Sequence, residues 1–175
     1  MSSLSVYHQS TPDIPNKVLT HLEDIAATLA EHGVRFERWT ADTPVQAGTG
    51  QEGVLAAYQE PIDRLKAERG YRNVDVVSAH GDVATELLDE HVYGDDLVRF
   101  FAAGRSLVSV RAGEYVLAVL CEKGDLIVVP AGARVWIDGG ENPHFVAVRL
   151  FNRPEGLVAQ VTGNATSQNF PRLDD

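Results

Sequence analysis

The chain has little with which to staple itself and nothing with which to grip a polyanion. It holds one cysteine, Cys121, in 175 residues, so no disulfide framework is available and nothing points to an oxidising compartment. Set in the run YVLAVLCEKGD, that thiol reads as a small buried hydrophobe. Basic residues are also short: 15 Lys and Arg face 25 Asp and Glu, a formal net charge of -10. Nucleic-acid binding needs a basic face that displaces counterions from phosphates, so that class is excluded. The first residues, MSSLSVYHQSTPDIPNK, lack both the basic and the apolar stretch of a signal peptide. No apolar run approaches the roughly 20 residues that span a bilayer. These absences imply a soluble cytoplasmic protein whose partner is a small molecule, with no nucleic acid and no membrane. Its expected assembly is a monomer or a homodimer.

What is present fits one domain with a real core. In the first part, SLSVYH reads as an edge strand and VLTHLEDIAATLAEHG as a helix, with Val18, Leu19, Leu22, Ile25, Ala26 and Leu29 at helical spacing. VRFERW alternates as a strand does. QEGVLAAYQEPIDRLKAERGY is helical in period with a kink at Pro61, and VATELLDE reads as a short helix. From His91 onward short apolar runs alternate with glycine-bearing turns: LVRFFAAG, RSLVSVRAG, YVLAVLCEKGD, LIVVPAG, ARVWIDGG, HFVAVRLF, GLVAQVTG. Such spacing predicts a β-sandwich or barrel. The expected organisation is mainly β, with residues 1–90 forming a mixed α/β cap, 91–162 the barrel strands and 163–175 a tail packed through Phe170.

Two spacings in the β region carry more information. One runs His91-x-Tyr93, three residues, Leu97, six residues, Gly104; the other runs Gly124, five residues, Pro130-x-Gly132, two residues, Val135. Cupins show H-x-H-x3-E-x6-G and G-x5-P-x-G-x2-H at these intervals, with the histidines and glutamate pointing into a jelly-roll barrel around one metal. Beyond the spacing, GVRFERW, AAYQEPIDRL, RGYRNVDVVS, VRFFAAG, YVLAVLCEKGDLIVVPAG, ENPHFVAVRLFNRPEG and PRLDD occur in order. Nearly the whole chain thereby resembles the acireductone dioxygenase family. The resemblance implies a cupin fold, iron or nickel held by three histidines and a glutamate, and oxidative cleavage of an acireductone by dioxygen.

The departures from that family are concentrated at the ligand positions. Its EHxHxxxEVRFF reads EHVYGDDLVRFF here, so His91 stands while Tyr93 and Leu97 replace a histidine and the glutamate. Its PAGxxHWFDMG reads PAGARVWIDGG, so Val135 replaces the last histidine, and Arg111 stands where the family has a further histidine. The connection before His91 also reads as shortened. Leucine and valine offer no donor atom, and a phenol with an ordinary pKa near 10 ligates only a strongly acidic metal. On these residues the inherited metal site is expected to be lost, with no cofactor, and iron or nickel only in a rebuilt site.

The candidate functional residues follow from the same face of the barrel. His91 and Tyr93 are candidates for an acid-base pair, because imidazole titrates near neutrality. Arg99, two residues beyond Leu97, and Arg149 are candidates for anchoring an anionic or enolic substrate. The resemblance places their counterparts near substrate, and an internal salt bridge is the competing role. Trp136 is a candidate wall of the pocket. Arg105, Arg111 and Arg134 add charge near a barrel mouth, Asp95 and Asp96 read as a solvated acidic turn, and His144 reads as structural. The functional expectation is a repurposed, metal-independent enzyme on a small anionic or enolic substrate, whether by acid-base chemistry or by cofactor-free oxygenation. A non-catalytic binding protein is the alternative, and classical acireductone dioxygenase activity the least favoured reading.

Overall fold

A computed structural model describes residues 2–39, 50–80, 88–140 and 144–173. Its organising element is β6, Leu97–Ala112, a 16-residue strand with two halves in two different sheets. In its first half Leu97, Arg99 and Phe101 point one way and Val98, Phe100 and Ala102 the other, as strand alternation demands. That half lies between β10, His144–Phe151, and β8, Asp125–Val129. β10 in turn pairs with β4, Asn73–His80, and β8 with β3, Arg35–Arg38. In its second half β6 lies between β7, Tyr115–Glu122, and β9, Arg134–Asp138. That sheet continues outward from β7 through β1, Ser3–His8, to β2, Lys17–Leu19. From β9 it continues through β5, His91–Val92, to β11, Gln160–Val161.

All these pairings are antiparallel, and the two sheets face each other across a cluster that includes Leu97, Phe101, Val110, Leu117, Ile127, Val129, Val135 and Phe145. The opposite parity of the first sheet, Val98, Phe100, Val148 and Leu150, packs beneath helices α2, Gln51–Ala57, and α3, Gln59–Arg69, through Tyr58, Ile62 and Leu65. The outer face of the second sheet is covered by the tail: Phe170 lies 5.4 Å from the Tyr7 ring and 5.9 Å from Trp136. The tail therefore packs through Phe170, as its sequence suggests. Burying a side chain of the size of Phe100 or Phe145 contributes about 2–3 kcal/mol each.

Several expectations change. Residues 1–90 are not a cap, because β1, β3 and β4 are integral strands of the two sheets. β1 is no edge; it sits between β7 and β2. Helix α1 spans Leu22–Ala30 only, since Val18 and Leu19 belong to β2 and pair with Ser5 and Leu4 of β1. Ile25 and Leu29, four residues apart, carry its buried face. The kink expected at Pro61 occurs earlier, at Tyr58. Proline there lacks the N–H that would bond the Ala57 carbonyl, so Pro61 sits in the first turn of a new helix. The helix read over 83–90 falls largely outside the described residues, as does most of the breaker-rich segment 40–50.

Where β6 changes sheets, its register with β10 shifts between Val146 and Ala147, and Gly104 adopts φ +73°. A Cβ on Gly104 would land on the His144 carbonyl oxygen, closer than non-bonded atoms approach. Glycine is therefore required twice, for conformation and for the close approach. Gly104→Ala is expected to destabilise the fold by roughly 2–4 kcal/mol and to lower the melting temperature by about 5–15 °C. A calorimetric scan with an unchanged midpoint would contradict this reading of the crossover.

Candidate functional site

The site is assembled where β5 meets β9. β5 is only two residues long, and its pairing with β9 sets His91 opposite Val135 while β11 flanks it on the other side. Val135 in turn lies opposite Val110 of β6. His91, Leu97 and Val135 are thereby brought to the inner face, and all three are buried. The two aliphatic side chains belong to the inner cluster, with Tyr93 packed against it.

His91 is held at both ring nitrogens. Nδ1 lies 2.7 Å from the Asp89 carbonyl oxygen and Nε2 3.1 Å from the Tyr93 hydroxyl. A carbonyl only accepts, so Nδ1 carries a proton, and in the neutral form of the ring Nε2 is the acceptor that faces the phenol. The two rings meet edge to face, 5.0 Å apart at 89°. The PAG turn supports the pair: the Gly132 N–H donates to the Tyr93 carbonyl at 3.0 Å.

Arg99 pairs in register with Arg149 on β10 and Ile127 on β8. It points inward with Leu97 and Phe101, is only 7% exposed, and its guanidinium stands 5.9 Å from the Phe145 ring centre. Arg149 forms a fork with Asp75 of β4, at 2.9 Å and 2.7 Å, so it is engaged in a bidentate ion pair. Trp136 differs from its expected place. Val135 and Ile137 face inward, so Trp136 between them faces the tail cluster with Tyr7 and Phe170 and does not wall the inner site.

Outside the barrel, Glu90 is fully buried and gathers Arg111 at 2.7 and 3.1 Å, the Thr162 hydroxyl at 2.8 Å and Arg134 at 3.9 Å. Burial alone would raise its pKa, but the hydrogen bonds and positive charges outweigh this and hold it below the usual carboxylate range. Arg111 and Arg134 thus serve a buried carboxylate on the outer face. Arg105 and His144 lie at the far end of the strands, lining a separate cleft of about 420 Å³. Asp95 and Asp96 do not form a merely solvated turn. Asp96 accepts from the Tyr71 hydroxyl and the Ala131 N–H, both at 3.0 Å. Asp95 pairs with Arg153 at 3.2 Å and lies so close to Gly156 that any side chain there would strike its carboxylate. Burial, with the Asp96 charge beside it, raises the Tyr71 pKa above the usual phenol value. These brackets were not read from the sequence, because their partners lie 21 to 72 residues away.

The family model of the ARD/ARD' family matches residues 4–159. The chain belongs to the acireductone dioxygenase family. It is 60% identical over 181 aligned positions to the acireductone dioxygenase of Pseudomonas syringae pv. syringae, and 59% identical to that of Pseudomonas aeruginosa, covering the whole of both chains in each case. Among solved structures, an acireductone dioxygenase from Bacillus anthracis, with a cadmium ion in its active center, superposes with a TM-score of 0.74. The match covers 91% of this chain and 98% of that one at 23% identity, a likeness of fold. The mainly β cupin barrel is therefore as the sequence suggests.

These relatives correct the functional expectations. Full-length identity near 60% to proteins named acireductone dioxygenase supports the classical enzyme. It overturns both the repurposed, metal-independent reading and the ranking of classical activity as unlikely. The expectation of no cofactor, drawn from the residues at the ligand positions, is overturned as well, since the full-length relatives are named for the classical enzyme and a family neighbour carries a metal ion in its active center. Among the described residues, no helix is long and apolar enough to cross a membrane.

This chain's own donors do not make the family's ligand set. His91 Nε2 and the Tyr93 hydroxyl are present, but Leu97 and Val135 bring only carbon to the remaining positions. Among the described residues no group of three or more His, Cys, Asp or Glu side chains could hold a metal ion. Borderline divalent metals in protein sites usually take three or more such donors. The combined Tyr93→His, Leu97→Glu and Val135→His variant is expected to retain more iron or nickel per chain through gel filtration than the parent, by elemental analysis. Equal retention would contradict placing the shortfall at these three positions.

Proposed function

We propose that this chain is an acireductone dioxygenase-type oxidoreductase, with His91 and Tyr93 handling the substrate proton and Arg99 supplying charge beside it. The observation that carries this reading is the full-length identity of about 60% to proteins named for that activity. The inner-face geometry supports the assignment of roles. An acireductone is an electron-rich enediol, and its reaction with dioxygen is favoured once the enediol has lost a proton. The neutral His91 ring, with Nδ1 committed to the Asp89 carbonyl, offers the Nε2 lone pair for that proton, directly or through the Tyr93 hydroxyl. Tyr93 is partly exposed whereas His91 is fully buried, so the phenol is the group that meets substrate first. Arg99 then balances the enediolate charge in an apolar surrounding, where such an interaction is stronger than in water. Arg149 orders this wall through Asp75, and Trp136 has no part in the pocket. Under this reading the partner is a small-molecule substrate, and the protein works in the cytoplasm.

The test is substrate loss and dioxygen uptake by the purified full chain, run separately with iron(II), nickel(II) and a chelator. Saturable turnover above the buffer rate is expected, and His91→Ala is expected to lower kcat by about 10²- to 10⁴-fold. No turnover in any of the three conditions would overturn the proposal.

A further inference from the structure

We infer that Glu90 is a positioning residue: from the outer face of the sheet it sets, through one peptide plane, which ring nitrogen of His91 carries the proton on the inner face. The inference rests on the reading of His91 as proton acceptor, but it has a readout of its own. β5 is too short to hold its geometry by ladder bonds, having one register pair with β9 and two with β11. Strand alternation sends Glu90 outward when His91 points inward.

Glu90 is fastened twice. Its carboxylate receives the Arg111 fork and the Thr162 hydroxyl, and its own carbonyl accepts the Thr162 N–H at 3.0 Å. The Asp89 carbonyl and the Glu90 N–H belong to a single planar peptide. With Glu90 held at side chain and carbonyl, that plane has little freedom to rotate, and its oxygen is the one 2.7 Å from His91 Nδ1. An acceptor fixed there demands N–H at Nδ1 and leaves Nε2 as a lone pair toward Tyr93. Released from that carbonyl, the ring could carry its proton on either nitrogen. A partner that fixes the tautomer of a functional histidine is a recurrent second layer of enzyme sites. The cluster also explains why a fully buried carboxylate is kept where an apolar side chain would pack with less desolvation cost.

The experiment is nitrogen NMR of the histidine rings in the full chain near pH 8, where an ordinary imidazole is neutral, comparing wild type with Glu90→Gln. Wild type is expected to show His91 protonated at Nδ1 alone. The folded variant is expected to show a tautomer mixture or Nε2–H, with kcat on an acireductone lowered roughly 10- to 100-fold and KM within about twofold. A folded Glu90→Gln protein that keeps the Nδ1–H tautomer, or a wild type protonated at Nε2, overturns the inference. Should Glu90→Gln fail to fold, Thr162→Val, which removes one hydroxyl and leaves the ion pair, is judged by the same criterion. The ring spectrum needs no turnover. A tautomer shift in a protein without activity sinks the proposed reaction and upholds the positioning role; full activity with an unmoved tautomer does the reverse.

Discussion

Everything about the site depends on the alternation of β6 and on its change of sheet. In its first half the strand sends Leu97, Arg99 and Phe101 into the barrel and Val98, Phe100 and Ala102 toward the helices. In its second half it pairs with β9, which carries Val135 to the inner face opposite His91. A slip of one residue in the first half would turn Arg99 outward and Val98 inward. The left-handed turn at Gly104, with the register shift beside it, lets one strand serve both sheets. Leu97, Val135 and Tyr93 thereby share the inner cluster, with His91 in register with Val135.

Family membership and residue chemistry pull in different directions at this point. Identity near 60% along the whole chain ties the protein to acireductone dioxygenases, while the inner face offers one imidazole, one phenol and two aliphatic groups. Charge near the site is divided between the two faces of the strands. Arg99 stands inside against Phe145, whereas Arg111 and Arg134 are drawn to the outer face by the buried Glu90. The result is a histidine whose Nδ1 is fixed on a carbonyl, a phenol beside it, and a cation on the facing sheet. Those groups suit an acidic enediol.

Much of this was legible in the sequence. Spacings that rest on local periodicity, such as the strands from His91 onward, Gly104 and the PAG turn, could be read directly because each residue's neighbours in space are near in the chain. The parity that joins Leu97 to Arg99 was legible for the same reason. The same alternation, applied between Val135 and Ile137, would have removed Trp136 from the pocket; its likeness to a family tryptophan drew it in. What could not be read was long-range pairing. Arg149 with Asp75, Asp96 with Tyr71, and Glu90 with Arg111 and Thr162 join residues 21 to 74 positions apart. The N-terminal half was misread as a cap because a short strand such as β2 has the same apolar residues as the first turn of a helix, and only pairing with β1 decides between them. The functional expectation failed for a different reason. It weighed four ligand positions above the rest of the chain, and identity over the rest of the chain speaks for the family's activity.

The central claim is that the inner face at His91, Tyr93 and Arg99 is where an enediol meets this protein. The most direct measurement is a crystal structure of the wild-type chain soaked with a stable enediol such as ascorbate. The account predicts density for the enediol oxygens within hydrogen-bonding distance of the Tyr93 hydroxyl or His91 Nε2 and on the side of the barrel that carries Arg99. Density for the ligand only in the far cleft between Arg105 and His144, or an inner face left to protein and water at saturating ligand, would contradict it.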